Sequence, residues 1–409
     1  MHILFLTDNF PPETNAPASR TYEHTKRWVA AGHQVTVVTG APNFPSGKIH
    51  AGYRNRLWAR ETMDGIDVVR VWTYITANEG FLKRTLDYVS FMVSAILASP
   101  FLPRPDVIVA TSPQFFTPCA AWVVSLLRRR PFVFELRDLW PDSIVAVGGM
   151  RETRVIGWLR KLEYFLYRRA ARIVSVTQSF KRVLTANGVD ADKIAVVPNG
   201  VELDTYLPGP KPEDLARRLG VEGKFVAAYV GTVGMAHGLG TLLAAAERLR
   251  VRKDIRFVIV GTGAEKEKLA GEAASRKLDN LLFAGPVSKA EVRNYWRFCD
   301  VALVLLRDRP LFSHVIPSKM FEAMATGRAI ILGVRGESKS ILEEARAGVA
   351  IPPEDTDALA QAVVEMADHP DKCRGMGASG RRFVETHNDR DVLARDMLGV
   401  LEQVNPGRT

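Results

Sequence analysis

The sequence predicts an α/β protein made of two consecutive domains, each a parallel sheet with helices on both faces. Short apolar runs rich in Val and Ile alternate with amphipathic stretches along the chain, which is the pattern of buried parallel strands joined by helices. The same rhythm begins again after Pro198-Asn199-Gly200. The length of 409 residues agrees with two or three domains of about 150 residues each.

The apolar runs predict strands, and the gaps between them have helical spacing. In the first half the predicted strands cover 3–7, 35–39, 68–71, 107–110, 132–136 and 173–176. In the second half they cover 225–230, 256–260, 281–284, 301–305 and 329–332. Predicted helices include 22–31, 239–249 and 265–274.

A cluster of Pro and Gly at 198–212 predicts the boundary between the domains. We therefore expect an N-terminal domain at 1–200, a C-terminal domain at 201–388 and a last helical segment at 389–409 that packs back against the first domain. Ligands of parallel α/β sheets bind outside the carboxyl ends of the strands. Two such domains facing each other are expected to hold one substrate each, an arrangement suited to joining two molecules.

The composition excludes several classes of protein. Hydrophobic residues make up 47% of the chain and charged residues 24%, which excludes a disordered chain, a collagen and a coiled coil. The three cysteines are far apart and predict neither a disulfide framework nor a CxxC metal site, so a reducing cytosol is expected. The N-terminal apolar run stops at Asp8 and is typical of a first strand, not of a signal peptide.

The positive charge of the chain is concentrated in its first half. The formal net charge is +10, of which residues 1–200 carry +9 and the remainder +1. An anionic partner is therefore expected for the first domain, such as a phosphate-bearing lipid or a membrane surface, with nucleic acid less favoured. A basic proteome would explain the total charge but not its distribution.

Three segments of the first half are candidates for membrane contact. Residues 88–103 carry no charge but are too short for a span of about 20 residues and contain Pro100. Basic residues flank apolar ones at 81–84, and further basic segments lie at 128–130 and 151–172, as in interfacial helices. For each segment alone, a buried helix or a solvated face is the favoured explanation. Together with the charge distribution they predict peripheral attachment at the inner face of a cell membrane.

The segment 316–327 is the most informative part of the second half. Ser318 is a candidate N-cap and Gly327 a candidate helix stop. On the resulting helix Ser318, Lys319 and Glu322 share one face. Free amides, the helix dipole and the Lys charge suit a pyrophosphate, and Glu322 could accept bonds from the vicinal hydroxyls of a ribose. From spacing alone, a capped helix with a solvated Lys and a Glu in an i,i+3 pair is favoured, because such pairs are common.

Two glycine turns follow predicted strands nearby, at 231–238 and 261–263. Either could let backbone approach a phosphate or a base. Neither is a dinucleotide fingerprint, because the first lacks GxG and the second has Lys266 in place of the third glycine. The sequence also contains no GxxxxGK[ST], HExxH or GxSxG motif, so hydride transfer and several hydrolytic classes have little support.

Several of these motifs together resemble one enzyme family. They are the segment Ala31-Gly32-His33-Gln34-Val35-Thr36-Val37, the segment Val197-Pro198-Asn199-Gly200-Val201-Glu202 and the segment Phe321-Glu322-Ala323-Met324-Ala325. Over essentially its whole length the chain resembles the family 4 glycosyltransferases, which are retaining enzymes with two facing Rossmann-like domains, the GT-B fold. Within that family, the segments 135–142 and 317–322 are most similar to transferases of bacterial O-antigen and capsule assembly. Among these it resembles the enzymes that add N-acetyl-L-fucosamine to an undecaprenyl-pyrophosphate-linked sugar.

The chain departs from the family pattern at charged positions. Glu322 matches the second glutamate of the family's EX7E motif, but the first falls on His314. The Arg and Lys that commonly hold the donor diphosphate fall on Thr232 and His237, and the common catalytic-loop His falls on Arg137.

The resemblance implies a set of functional residues, in which the diphosphate charge is met differently from the family pattern. Lys319, Arg137 and the Gly234 amide are expected to stabilise the leaving diphosphate, Asp138 is expected to orient or deprotonate the acceptor, and Val287 and Ser288 are expected to meet the base through main-chain groups. A loop at 9–20 should close over the phosphates. The expected catalytic residues are Asp138, Arg137 and Lys319. The expected donor-binding residues are Asn15, Ala16, Gly234, His237, Gly263, Val287, Ser288, His314, Ser318, Lys319 and Glu322.

The resemblance further implies a UDP-sugar donor, a polyprenyl-diphosphate-linked saccharide acceptor, no nucleic-acid partner and no cofactor or metal. Two alternatives remain at this point: a nucleotide-sugar 2-epimerase of similar fold, and a non-catalytic nucleotide-sugar-binding protein. Glycosyl transfer, isomerisation and binding alone would give different products from a labelled UDP-sugar, so product analysis separates the three.

Overall fold

A computed structural model describes residues 1–44, 46–76, 81–143, 153–405 and 407 of the chain. It divides into two compact units. The first unit comprises Met1–Asn199 together with Arg390–Thr409, and the second comprises Gly200–Asp389. The last helix of the chain therefore belongs to the first unit.

The first unit is built on an eight-stranded sheet. Its strands are β1 (His2–Leu6), β2 (Gln34–Thr39), β3 (Trp58–Met63), β4 (Ile66–Val71), β5 (Val107–Thr111), β6 (Phe132–Leu136), β7 (Arg172–Ser175) and β8 (Ile194–Val196). They are arranged in the order β3-β4-β2-β1-β5-β6-β7-β8. All neighbours are parallel except β3, which pairs antiparallel with β4 at the edge.

Helices cover this sheet. They are α1 (Ala16–Ala30), α2 (Phe81–Ala98), α3 (Phe116–Arg128), α4 (Arg154–Arg169), α5 (Gln178–Ala186) and, from the end of the chain, α14 (Arg390–Gln403). Helix α14 lies on α1, where the Trp28 indole donates to the Ala394 carbonyl at 2.9 Å. Its Leu393, Met397 and Leu401 join the core with Ile3.

The second unit has a six-stranded parallel sheet. Its strands are β9 (Phe225–Val230), β10 (Ile255–Val260), β11 (Leu281–Gly285), β12 (Val301–Leu305), β13 (Ala329–Gly333) and β14 (Gly348–Ala350), in the order β11-β10-β9-β12-β13-β14. Its helices are α6 (Glu213–Arg218), α7 (Gly240–Arg248), α8 (Lys266–Ser275), α9 (Lys289–Phe298), α10 (Ser318–Ala325), α11 (Glu337–Ala345), α12 (Thr356–Asp368) and α13 (Pro370–His387).

The central strand β9 shows why this sheet is covered on both faces. Val226, Ala228 and Val230 belong to one hydrophobic core, whereas Ala227 and Tyr229 belong to another. Because successive side chains of a strand point to opposite faces, the two cores lie on opposite sides of the sheet. The predicted α/β class with helices on both faces is confirmed.

The structure differs from the predicted elements at several places. Strands β3, β8 and β14 are additional, and α1 begins at Ala16, so the loop expected at 9–20 is shorter and ends at Asn15. The apolar segment 88–103 is the end of α2 followed by a 3-10 turn at Ser99–Phe101. Within the described residues, no helix has both the length and the apolar character needed to cross a bilayer.

Candidate active site

Helix α10 of the second unit opens without a side-chain cap. Its N-cap position is Pro317 and its first residue is Ser318, so the prediction of Ser318 as N-cap is wrong. Pro317 is held in extended backbone and accepts the Met320 amide at 3.0 Å. Over the described part of the chain, the amides of Ser318 and Lys319 have no acceptor. Two open N–H groups and the positive end of the helix dipole therefore point out of this helix.

The Lys319 side chain is buried beside this helix start. Its Nζ is inaccessible to solvent, and the described residues offer it no hydrogen-bond partner. It lies 3.8 Å from the centroid of the Tyr229 ring, and a Cβ built on Gly231 would come within 2.8 Å of it. Burial lowers the pKa of Lys319 to about 7, an effect that the charge of Glu322 partly offsets.

The turn after β9 brings His237 to the same place. Met235–His237 forms a short 3-10 helix that follows Gly234, and the His237 ring lies 5.8 Å from the Tyr229 ring. Burial, followed by the charge of Lys319, lowers the pKa of His237 to about 3. His237 is therefore neutral, and its buried Nδ1 has no partner among the described groups.

Glu322 lies one turn further along α10 and is oriented by two buried aromatic residues. The Trp296 indole donates to Glu322 Oε2 at 3.0 Å, and the Tyr206 hydroxyl also bonds to Glu322. Burial and the charge of Glu322 both raise the pKa of Tyr206. The carboxylate is thus fixed in one orientation, as recognition of paired hydroxyls requires. It is not the solvated partner of a surface lysine.

The glycines of the two turns pack mainly against each other. A Cβ on Gly261 would lie 1.9 Å from the Gly231 carbonyl oxygen, and one on Gly263 would lie 2.4 Å from the Val233 carbonyl oxygen. A glycine at 263 is therefore required by the close backbone packing of two adjacent turns, and its contact with the donor stays a prediction. Gly234 has ordinary space around it, and its amide has no acceptor among the described residues.

Three other predicted donor contacts have different surroundings. Ser288 is the N-cap of α9 in a capping box, where its amide donates to Glu291 Oε2 at 3.1 Å and its hydroxyl accepts from the Glu291 amide. Its amide and hydroxyl are thus engaged in the capping box, and contact of Val287 or Ser288 with a base stays a prediction. His314 is half-buried in the 3-10 turn Pro310–His314.

In the first unit, Arg137 and Asp138 follow the carboxyl end of β6. The Ser112 hydroxyl accepts both of their amides, at 2.8 and 3.3 Å. Burial lowers the pKa of Arg137 to about 10, and its buried Nη1 has no partner in the part of the chain that the structure describes. Burial also raises the pKa of Asp138 to about 6, although bonds from Ser143 and the Leu139 amide oppose this.

A buried ion pair that was not predicted from the sequence involves Glu135 on β6, two residues before Arg137. Arg20 Nε and Glu135 Oε1 are 2.7 Å apart, with both side chains buried. Arg20 also donates to the carbonyls of Val197 and Pro198, at 2.9 and 2.6 Å. Burial raises the pKa of Glu135, but Arg20 and Arg137 outweigh this and lower it overall. The network fixes the start of the loop that carries Arg137.

Asn15 has a structural role that was not predicted from the sequence. It is the N-cap of α1, where its side-chain oxygen accepts from the Ala18 amide at 3.0 Å and its Nδ2 donates to Asn9 Oδ1 at 2.8 Å. Ala16 is the first residue of that helix. Contact of either residue with a donor phosphate stays a prediction.

Two buried carboxyl groups lie near the same end of the first sheet. Burial raises the pKa of Asp8, just after β1, to about 8, and burial raises that of Asp87 on α2 to about 7.

Across the described ranges, no group of three or more His, Cys, Asp or Glu side chains is placed to hold a metal ion. Metal independence stays a prediction.

Known protein families match most of the chain. A glycosyl transferase 4-like domain matches residues 15–200, and a glycosyl transferases group 1 domain matches residues 224–369. An Escherichia coli (strain K12) protein, whose name assigns it glycosyl transfer in colanic acid biosynthesis, is 26% identical over 97% of this chain and 99% of its own.

Solved structures with a similar fold are more distant in sequence. Sucrose-phosphate synthase from Thermosynechococcus elongatus has a TM-score of 0.79 at 17% identity and covers 98% of each chain. Anabaena HepE in complex with UDP-glucose has a TM-score of 0.74 at 16% identity, covering 98% of this chain and 100% of that one.

Proposed function

The chain belongs to the GT4-type glycosyltransferases with the GT-B fold, and on that basis we propose that it transfers a sugar from a UDP-sugar to a lipid-diphosphate-linked saccharide with retention of configuration. The sugar proposed is an N-acetylated deoxyhexosamine such as N-acetyl-L-fucosamine. The pathway proposed is assembly of a bacterial surface polysaccharide, which the colanic acid relative supports. No observation favours the epimerase or the binding-only alternative.

The buried amino group of Lys319 is the observation that carries this proposal. A buried Nζ without an acceptor, beside a helix start with two open amides, lacks the anion that would satisfy all three groups. A diphosphate supplies that anion. The oriented Glu322 carboxylate, one turn away, then accepts from the ribose hydroxyls. The Anabaena structure with UDP-glucose supports a uridine nucleotide as the donor.

Catalysis would consist mainly of stabilising the charge that develops on the leaving diphosphate. In the second unit we assign that role to Lys319 and the Gly234 amide, and we keep Arg137 as the proposed catalytic cation of the first unit. The unpartnered Nη1 of Arg137 is available for an anion. Asp138, whose pKa of about 6 leaves it ionised at neutral pH, would orient the acceptor hydroxyl. In a retaining transfer the departing phosphate takes the proton of that hydroxyl on the same face.

For the acceptor's lipid we propose peripheral attachment through an apolar face of the first unit. We define this face by Leu97, Phe101, Leu126 and Leu127, whose side chains are 66, 81, 61 and 58% exposed. We treat them as one surface because helices α2 and α3 pack against each other and Arg128 at the end of α3 donates to the Leu102 carbonyl at 2.9 Å.

Charge and further apolar side chains extend this face. Arg104 and Arg129 are exposed beside it, and Trp158 on α4 is 61% exposed. Protruding apolar side chains next to cations are typical of an interfacial surface. Of the predicted membrane segments, residues 151–152 and the side chains of 81–82 lie outside the described residues.

The donor assignment is tested by turnover. Purified enzyme is incubated with a panel of UDP-sugars and an undecaprenyl-diphosphate-linked sugar, and the product's mass and anomeric configuration are determined. We expect Lys319→Ala and Glu322→Ala each to lower kcat/KM for the donor at least about tenfold, which corresponds to about 1.4 kcal/mol of transition-state stabilisation. The control is Lys339→Ala, an exposed lysine on helix α11, which should leave the activity unchanged. Near-wild-type turnover in both site variants would remove the donor-site assignment.

The membrane assignment is tested by co-sedimentation with vesicles of phosphatidylglycerol and phosphatidylcholine. Phe101→Asp should abolish binding, because it places a carboxylate in the centre of the apolar face. Val251→Asp, at an exposed apolar residue of the second unit (83% exposed), should not. Raising the salt concentration should weaken binding of the wild type. Equal sedimentation of both variants would contradict the assignment.

A further inference from the structure

We propose that Lys319 is largely uncharged in the empty donor site at mildly alkaline pH and takes up a proton when the donor diphosphate binds. Donor binding would then be coupled to the uptake of one proton per site. This inference rests on the donor site proposed above and concerns how that site acquires its charge.

The geometry around Nζ disfavours an ammonium ion in the empty site. The group is cut off from solvent, and no carbonyl or carboxylate among the described residues accepts a hydrogen bond from it. One side is closed by the Tyr229 ring at 3.8 Å, and another by Gly231, where a side chain would clash with Nζ. Burying a charge without hydrogen-bond partners is costly, and such a group loses its charge instead.

The groups facing Lys319 do not reverse this preference. From β9, Tyr229 is neutral, because burial raises its pKa well above the usual value. From the turn at Met235–His237, His237 is neutral, with a pKa of about 3. Along α10 itself, Glu322 favours the charged amine, but its carboxylate is engaged with Trp296 and Tyr206. The cation–π attraction of Tyr229 is the remaining favourable contribution.

A diphosphate changes this balance because it brings both acceptor oxygens and negative charge next to Nζ. A pKa of about 7 in the empty site leaves about one amine in ten protonated near pH 8, whereas the bound anion favours the charged form. Binding near pH 8 should therefore take up about 0.9 proton. By the same linkage, the dissociation constant should rise about fivefold between pH 7 and pH 8 and by a factor approaching ~10 for each further pH unit.

Isothermal titration calorimetry of the full chain with UDP measures this uptake directly. The titration is repeated near pH 8 in buffers of different ionisation enthalpy, and the slope of the observed heat against that enthalpy gives the protons taken up. We expect about 0.9 in the wild type, in the control Lys339→Met and in His237→Gln. Lys319→Arg, which stays charged at all these pH values, should bind with no uptake, and Lys319→Met should bind weakly with none.

Each other outcome has a definite meaning. UDP binding by the wild type without proton uptake overturns the inference and leaves the donor site intact. Uptake that persists in the Lys319 variants but disappears in His237→Gln assigns the proton to the histidine and also overturns it. If neither UDP nor GDP binds the wild type, the donor site is wrong, and this inference is lost with it. Circular dichroism of each variant separates lost binding from lost folding, and the wild-type and His237→Gln titrations decide the matter if both Lys319 variants unfold.

Discussion

Substitution of Tyr206 by Phe removes one of the two donors that orient Glu322 and leaves the rest of the site in place. Tyr206 is buried, and its hydroxyl bonds to Glu322. The ring fills the same volume in the variant, so the change removes only the hydroxyl. A hydrogen bond to a charged group contributes about 1.5–3 kcal/mol. Because the Trp296 indole still holds Oε2 at 3.0 Å, we expect the low end of that range.

The expected result is a rise of about tenfold in the donor KM, or about 1.4 kcal/mol, with kcat changed less than about threefold. A carboxylate that binds the ribose acts equally in the ground and transition states, so its loss should appear in KM. The assay is steady-state transfer with varied UDP-sugar at saturating acceptor. Thermal unfolding of each variant monitors the fold.

The matched control is Tyr295→Phe, the same chemical change at another buried tyrosine of the second unit. Tyr295 contacts the Phe298 ring edge-on, and the described residues provide no hydrogen bond to its hydroxyl. It should leave both kinetic constants unchanged. Equal kinetics for the Tyr206 and Tyr295 variants would refute the role of Glu322 in holding the donor. A fall in kcat alone would place Glu322 in the chemical step.

Three further results follow from the buried groups. Activity of the wild type should fall below about pH 6 as Asp138 is protonated. Asp138→Asn should be slow, and its activity should not show this fall at acidic pH. If the variant shows the same fall, another group causes it. Glu135→Gln should lower the free energy of unfolding by about 3 kcal/mol, because Arg20 loses its buried partner. The pKa of Glu135 is lowered from 4.5, so the ion pair stabilises the fold above pH 4.5. The difference in the free energy of unfolding between variant and wild type, measured with urea, should therefore shrink as the pH falls below 4.5. Gly261→Ala should lower the melting temperature by several degrees or prevent folding, because its Cβ would lie 1.9 Å from the Gly231 oxygen; a wild-type melting curve would contradict that packing.

The buried parallel strands could be predicted from sequence because their signal is local. A run such as 301–305 consists of consecutive apolar residues, since both faces of the strand are covered. Edge strands lack that signal. β3 reads Trp-Ala-Arg-Glu-Thr-Met, with alternating exposed and half-buried residues, and its pairing with β4 is a tertiary contact. β8 and β14 have three residues each, too few to show a period.

The candidate site was predictable only where its residues share one helix. Lys319 and Glu322 are three apart, so their common face follows from helical geometry. The prediction of Ser318 as N-cap was wrong, because a Ser before an amphipathic run is a common cap, whereas here Pro317 occupies the cap position. Tyr206 and Trp296 come from distant segments, and no spacing rule relates them to Glu322. The environment of Lys319 depends on Tyr229 and Gly231, which only the folded sheet brings to it.

Burial lowers the pKa of the two proposed catalytic cations, Lys319 and Arg137, by different amounts. Burial lowers the pKa of both, but to about 7 for the lysine and about 10 for the arginine. The guanidinium therefore stays charged in the empty site, helped by the adjacent Glu135, whereas the amine can lose its proton. A lysine in this position makes the second unit's affinity for an anion depend on pH near neutrality, and an arginine there would not. The two residues thus differ in when their charge is present, and the pH dependence of UDP affinity in Lys319→Arg isolates that difference.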